Sequence, residues 1–159
     1  MLTKSLFKLA VECPTKIYYK INNYPSKSAN DEFLKALASG GYQVGELARC
    51  FFPDGILIEK SEISGAVSQT NDLLERENVI IFEASFKYNN FFVKADILIK
   101  EGNEIKIYEV KSKSIERGEN ILNIDGKPNS DWKKYLYDLA FQKYMISNVL
   151  PGTYTMKFY

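Results

Sequence analysis

Residues 92–111, FVKADILIKEGNEIKIYEVK, contain two β-prone runs separated by Gly102-Asn103. This dipeptide is a common two-residue hairpin loop, so the stretch predicts an antiparallel β-hairpin. Counting outward from the loop gives four opposed pairs: Glu101 with Glu104, Leu98 with Ile107, Asp96 with Glu109, and Lys94 with Lys111.

The opposed acids Asp96 and Glu109 are the chemically informative pair. Residues directly opposite on antiparallel strands have Cβ atoms about 4.5–5.5 Å apart, and two like charges at that distance repel. A cation between them removes the repulsion, and the simplest candidate is a hard divalent metal such as magnesium, which takes oxygen ligands.

The strand pattern also indicates a pocket at one end of the hairpin. Side chains alternate along a strand, so Ile105, Ile107, Glu109 and Lys111 share one face. The first two are apolar and the last two are charged, which is typical of a core face that opens into a polar site.

Composition limits the chemistry that this chain can perform. The chain has 159 residues, a net charge of +1 and no histidine. A serine or cysteine nucleophile with a histidine base is therefore excluded within the chain, and two cysteines do not suffice for a common four-ligand zinc site. Without a strong global positive charge, nucleic-acid binding needs a local basic patch.

No apolar run reaches the length of a membrane helix, and the N-terminus does not resemble a signal peptide. We therefore expect a cytoplasmic protein without a membrane partner. Length predicts one domain over residues 1–159. The chain ends in a strand-like segment without a closing turn, which suggests the N-terminal part of a longer protein.

Periodicity and turn signals predict the remaining elements. Residues 23–30 are expected to form a loop, and Gly40-Gly41 is expected to end a helix. The predicted helices are 4–12, 31–40, 42–52, a segment starting at Ser68 or Thr70 and ending at 77, and 131–150. The predicted strands are 55–59, 79–86, the two hairpin strands and 153–159. The fold class is α/β, with a central mixed sheet flanked by helices.

Asp96, followed after twelve residues by Glu109-Val110-Lys111, resembles the catalytic core of the PD-(D/E)XK nuclease superfamily. Three further features are similar to its RecB-like exonuclease branch: Gly45-Glu46 on a helix, Gln142 on the long helix, and Cys13-Pro14 followed by Tyr18-Tyr19. Two features depart from that branch. Ile146 stands where a tyrosine usually follows the glutamine, and no C-terminal cysteines accompany Cys13, so no iron–sulfur cluster is expected and Cys13 is interpreted as a buried thiol.

The resemblance implies a restriction-endonuclease-like fold and a magnesium- or manganese-dependent exonuclease that hydrolyses DNA, although sequence alone does not separate DNA from RNA. It assigns metal binding to Asp96, Glu109, the Val110 carbonyl and Glu46. Lys111 would orient water or stabilise charge, and Gln142 would position water or phosphate. Basic residues around the core would contact the nucleic-acid backbone: Lys94, Lys113, Arg117, Lys127, Lys133 and Lys134.

Several interpretations stay open from sequence. Glu83 is either an acid close to the metal or a solvent-facing edge residue, because a glutamate in the apolar run VIIFEASF is costly unless it is paired. Asp138 shares a helix face with Gln142, so a polar stripe could point at the site. The alternatives to a nuclease are a non-catalytic nuclease-like module that binds nucleic acid or a protein, and a small-molecule carboxylate–lysine enzyme. The latter lacks any recognisable cofactor loop.

Overall fold

The computed structural model describes residues 1–26, 30–150 and 152–159. Its helices are α1 (Lys4–Glu12), α2 (Pro14–Ile21), α3 (Glu32–Arg49), α4 (Ile63–Leu74) and α5 (Ser130–Val149). Its strands are β1 (Leu2–Thr3), β2 (Ile56–Leu57), β3 (Asn78–Tyr88), β4 (Phe91–Glu101), β5 (Glu104–Tyr108) and β6 (Thr155–Phe158). The chain is thus α/β, as predicted.

The strands form one mixed, open sheet in the order β2-β3-β4-β5-β6, with β1 also paired to β4. β3, β4 and β5 are antiparallel neighbours, whereas β1, β2 and β6 each pair in parallel. No helix among the described residues has the length and apolarity needed to cross a bilayer.

The β4–β5 hairpin has the predicted register. Glu101 pairs with Glu104 and Leu98 pairs with Ile107 around the Gly102-Asn103 loop. Gly102 has a φ of 55°, a conformation that glycine adopts without steric cost, which explains why this loop closes so tightly. The ladder ends at Ile97–Tyr108, however, so the predicted Lys94–Lys111 strand pair is wrong. Lys94 pairs instead with Ser85 on β3.

Helices cover both faces of the sheet. On one face, buried residues of α4 and α5, including Ala66, Met145 and Ile146, pack with Ile81, Leu98 and Ile107 of the central strands. Phe7 of α1 joins this face and stacks on Phe141 at 4.7 Å between ring centroids. On the other face, Phe82, Ile97 and Ile99 pack against Ala48 and Phe52 at the end of α3. The sheet core is therefore sandwiched between these two groups of helices.

Two predicted boundaries and the predicted burial of Cys13 were wrong. α3 continues through Gly40-Gly41, because Asp31 caps its first turn and both glycines keep ordinary helical backbone angles. α4 begins at Ile63, several residues before the predicted Ser68 or Thr70, and ends at Leu74. Cys13-Pro14 starts α2, in line with the preference of proline for the first turn of a helix, and Cys13 is a free, half-buried thiol rather than a fully buried one.

Within the predicted loop at 23–30, residues 27–29 lie outside the described part of the chain.

Candidate functional site

The candidate site lies at a gap along one edge of β4. β5 pairs with β4 between Glu101 and Ile97, and β1 pairs with the same edge at Phe91 and Phe92. Asp96 faces the interval between them. Lys4 directly follows β1 and Glu109 directly follows β5, so the ends of two strands deliver their side chains to Asp96.

Lys4 provides the cation that contacts both opposed acids. Its Nζ donates to Glu109 Oε1 at 2.8 Å and to Oε2 at 2.9 Å, and it lies 4.0 Å from Asp96 Oδ1. Asp96 and Glu109 therefore meet at one ammonium group. They are not a strand pair as predicted, because the β4–β5 ladder ends one pair earlier, at Ile97–Tyr108. A metal between the two acids stays a prediction, and in this structure the Lys4 ammonium lies beside both of them.

Glu109 is the more enclosed of the two opposed acids. Its side chain is only 3% exposed, and it pairs with Lys111 as well as with Lys4. Gln142 of α5 adds a further donor, with its Nε2 2.5 Å from Glu109 Oε2. Both oxygens of this buried carboxylate are thus hydrogen-bonded, which satisfies the usual requirement for a buried charge.

A second buried acid lies behind Glu109. Asp138 of α5 is 0% exposed, and its Oδ2 lies 3.2 Å from Lys8 Nζ and 3.6 Å from Lys111 Nζ. The cluster consequently alternates acids with lysines: Lys4, Lys8 and Lys111 with Asp96, Glu109 and Asp138. The polar stripe predicted from the spacing of Asp138 and Gln142 is confirmed.

Asp96 is held by the backbone of the neighbouring segment. The Val110 amide donates to Asp96 Oδ2 at 2.7 Å, in place of the next strand–strand hydrogen bond. Burial, together with the negative charge of Glu109, raises the pKa of Asp96 above its ordinary value, although Lys4 opposes the shift. Asp96 is therefore the acid of the pair that is less stable in its ionised form.

The neighbouring charges act differently on Glu109 and Lys4. Burial alone would raise the pKa of Glu109, but Lys4 and Lys111 outweigh it and lower that pKa. Burial alone would lower the pKa of Lys4, but Glu109 and Asp96 outweigh it and raise that pKa. Glu109 and Lys4 thus stabilise each other as an ion pair.

Glu83 lies opposite Asp96 and interrupts the ladder between β3 and β4. Phe82 pairs with Ile97 and Ala84 with Ala95, but the intervening pair is missing. Glu83 has a φ of 58°, which is rare for a non-glycine residue and costs of order 1–3 kcal/mol. Its carboxylate lies 3.2 Å from Arg49 Nη2 and 3.8 Å from Lys94 Nζ.

An open cleft of about 320 Å³, which we name the acidic cleft, joins these groups. Its floor contains Glu83, Asp96, Glu109, Val110 and Lys111, and α3 forms the opposite wall. The wall combines three small residues, Ala38, Gly41 and Gly45, with the larger Tyr42 and Arg49. Glu46 also lines the cleft, but its side chain is 70% exposed and pairs with Arg49 at 2.8 Å.

The structure thus brings six predicted site residues together: Glu46, Glu83, Asp96, Glu109, Val110 and Lys111. Gln142 reaches the group only through its bond to Glu109. Of the predicted backbone contacts, Lys94 lies beside Glu83, and Lys113 pairs with Glu119 at 3.1 Å. Lys133 and Lys134 lie over tyrosine rings on α5 and, like Arg117 and Lys127, are exposed.

Sequence reasoning missed Lys4, Lys8 and Arg49. Lys4 and Lys8 are one helical turn apart beside the core residue Phe7, and two lysines next to an apolar helix position are a weak sign of a buried polar contact. Which carboxylates they meet depends on the packing of α1 near the end of β5, about a hundred residues later in the chain. Spacing within α1 contains no information on that contact.

A metal ion at the cleft stays a prediction. Within the described part of the chain, no group of three or more Cys, Asp and Glu side chains is arranged to hold a metal. An ion here would need Asp96 and Glu109, the Val110 carbonyl and water, which is the all-oxygen, partly hydrated coordination that magnesium accepts. The Val110 carbonyl already lies 3.4 Å from Lys111 Nζ, so it faces the same charges.

Comparisons with protein-family models, with curated proteins and with solved structures found no match.

Proposed function

We propose that this protein is a metal-dependent nuclease of the PD-(D/E)XK type, with a restriction-endonuclease-like fold, that hydrolyses DNA phosphodiester bonds. The observation that supports the proposal most strongly is the convergence of Asp96, Glu109 and Lys111 in one open cleft. The residues reach the cleft from a hairpin and the segment after it, which is the arrangement that the sequence resemblance implies.

Asp96, Glu109 and the Val110 carbonyl would hold the metal. A magnesium ion bound there would lower the pKa of a water ligand and neutralise the charge that develops on the phosphate. Asp96 is the accessible ligand, since its side chain is 28% exposed and that of Glu109 only 3%. The Val110 amide fixes one Asp96 oxygen and leaves the other directed towards Lys4.

Lys111 and Lys4 would supply positive charge on both sides of the reacting phosphate. Lys111 contacts Glu109 and Asp138, and these two acids hold its ammonium beside the proposed metal ligands. An ammonium so placed can orient an attacking water or stabilise the oxygens of the transition state. Lys4 already lies between the carboxylates and would have to shift when a divalent ion is bound there.

Gln142 would act as a positioning residue. It is fully buried, and its amide donates to Glu109, so it fixes the orientation of that carboxylate instead of contacting the substrate.

Glu46 would contribute to the metal site through water, because its exposed side chain faces the same cleft from α3. Arg49 links Glu46 to Glu83 and adds positive charge for a phosphate.

The direct test is cleavage of labelled DNA by purified protein, with RNA of the same sequence as a second substrate. We expect cleavage of DNA with magnesium or manganese and none in EDTA. Asp96→Ala and Lys111→Ala should each abolish cleavage while the fold stays intact by circular dichroism. Glu101→Ala and Lys106→Ala are matched controls, because these residues form a surface ion pair on the same hairpin.

Cleavage that persists in EDTA, or that survives Asp96→Ala, would exclude the nuclease mechanism.

One observation favours the alternative of a non-catalytic nuclease-like module. Three lysines pair with the three acids of the cluster, so the charges of the chain are balanced by its own residues. Such a cluster can stabilise the folded protein without taking part in catalysis. A protein that binds DNA equally well with and without magnesium and cleaves under neither condition would be this module.

A further inference from the structure

A second cavity shares the two central residues of the candidate site. It has a volume of about 310 Å³, and both Glu109 and Lys111 line it as well as the acidic cleft. The rest of its lining is mainly apolar or aromatic: Ile115, Ile121, Trp132, Tyr135, Leu139 and Tyr159. We name it the aromatic cavity.

The aromatic cavity is built differently from the acidic cleft. Its wall includes an indole whose orientation is fixed by two contacts. Trp132 Nε1 donates to Glu119 at 2.8 Å, and the Lys113 ammonium lies 4.3 Å from the centre of the Trp132 ring. Lys113 also pairs with Glu119 at 3.1 Å, so the three side chains hold one another in place.

Apolar side chains remain exposed at the mouth of this cavity. Ile115 is 64% exposed and Ile121 is 45% exposed, and both lie in the loop before α5. Exposed aliphatic side chains beside a fixed aromatic ring favour a flat, apolar ligand. Lys111 and Lys113 also line the cavity, and although each pairs with an acid of the chain, their ammonium groups are the cations that a phosphate of the ligand would meet there.

An apolar surface, an aromatic ring and flanking ammonium groups are together complementary to the base and phosphate of one nucleotide. An unpaired base can stack on an aromatic side chain, and its phosphate can contact lysines. A base within a duplex is stacked and paired, so it would not fill a concave cavity without leaving the helix. Because Glu109 and Lys111 border both cavities, a base here would be next to a phosphate in the acidic cleft.

We infer that the aromatic cavity binds an unpaired base of single-stranded DNA next to the phosphate that is hydrolysed. The inference rests on the proposed function, since it takes the acidic cleft to be the place of the phosphate. It adds a preference that the carboxylates alone do not give: the substrate is single-stranded, or is opened at the site of cleavage.

Trp132 itself reports the test, because it is the only tryptophan of the chain. Short oligothymidylate is titrated into the protein in EDTA while tryptophan fluorescence is recorded, and affinity is measured in parallel by anisotropy of a labelled oligomer. We expect oligothymidylate to quench the emission, and an abasic oligomer of equal length to bind about tenfold more weakly with little quenching. A hairpin-closed duplex should also quench little.

Variants separate stacking from folding. Trp132→Leu should weaken the binding of oligothymidylate by about tenfold, and Trp132→Phe should retain most of the affinity, because a phenyl ring can still stack. Phe33→Leu is the matched control, since Phe33 is 73% exposed and lines neither cavity. Equal affinity for the abasic and the normal oligomer, or unchanged binding by Trp132→Leu, would overturn the inference.

The result is distinguishable from failure of the proposed function. Base-dependent binding without cleavage in magnesium would reject the nuclease and keep the base site. Cleavage with base-independent binding would keep the nuclease and reject the base site.

Discussion

Lys4 illustrates how a single side chain determines the electrostatics of the site. Its ammonium donates to both oxygens of Glu109 and is the nearest cation to Asp96 Oδ1 among the described ion pairs. Glu109 is almost fully buried, so removal of Lys4 would leave this carboxylate with Lys111 and Gln142 alone. Loss of one partner from a buried ion pair is far more costly than loss of a surface pair.

We therefore expect Lys4→Met to lower the free energy of unfolding in EDTA by about 2 kcal/mol, measured by urea denaturation. Lys16→Met is the matched control, because Lys16 pairs with Glu12 on the surface with both side chains more than half exposed. It should change stability by less than about 0.5 kcal/mol. Equal losses in the two variants would show that Lys4 is not a structural counter-ion.

Asp96 predicts a pH dependence of stability. The pKa of Asp96 is raised in the folded state, so the folded protein binds this proton more tightly than the unfolded chain does. The folded state therefore loses stability as the pH rises from the pKa of Asp96 in the unfolded chain to its pKa in the folded protein. Asp96→Asn should therefore be at least as stable as the wild type at pH 7 without metal, and its advantage should vanish below about pH 3, where Asp96 is protonated in both states.

Urea denaturation across this pH range measures the difference, with Asp125→Asn in an exposed loop as the control. A variant that is clearly less stable than the wild type at pH 7 would contradict the predicted sign.

At the scale of elements, the central strands deviate from regular geometry at the site itself. Ile81 and Ala84 of β3 both pack in the larger core cluster although they are three residues apart, and so do Ala95 and Leu98 of β4. Regular alternation would put the two members of each pair on opposite faces. The alternation breaks at Glu83 in β3 and at Asp96 in β4, which lie opposite each other. Both acids line the acidic cleft at this irregular point of the sheet.

The left-handed backbone of Glu83 gives a test of this deviation. Glycine usually weakens a strand, but at a φ of 58° it avoids the steric cost that alanine incurs. We expect Glu83→Gly to be more stable than Glu83→Ala by about 1 kcal/mol in thermal or urea unfolding. At Lys87, an exposed position of the same strand with regular pairing, the order of the two substitutions should be reversed. The same order at both positions would refute a strained backbone at Glu83.

At the scale of the whole molecule, local and long-range information contributed differently to what the sequence could predict. The hairpin register follows from a two-residue loop and predicts that Asp96 lies near Glu109. Alternation along the β5 segment places Glu109 and Lys111 at the polar end of its buried face. The long helix α5 and its Asp138–Gln142 face follow from helical spacing. Each of these features depends on residues close in sequence.

The features that escaped prediction depend on tertiary packing. The Gly40-Gly41 pair has the composition of a helix stop, yet α3 continues because its flanking residues favour helix and its last turn packs on Phe82 and Ile97. Lys4 meets Glu109 only because β1 and β5 both pair with β4. The positive φ of Glu83 is likewise a property of the assembled sheet.

The central claim is that Asp96 and Glu109 form a site for a divalent metal, and the melting temperature with and without magnesium tests it most directly. A ligand that binds only the folded state stabilises it by about 2.7 kcal/mol at a hundredfold excess over its dissociation constant. We predict that magnesium raises the melting temperature of the wild type above its value in EDTA and leaves that of Asp96→Asn unchanged. Identical wild-type melting curves in saturating magnesium and in EDTA would contradict the claim.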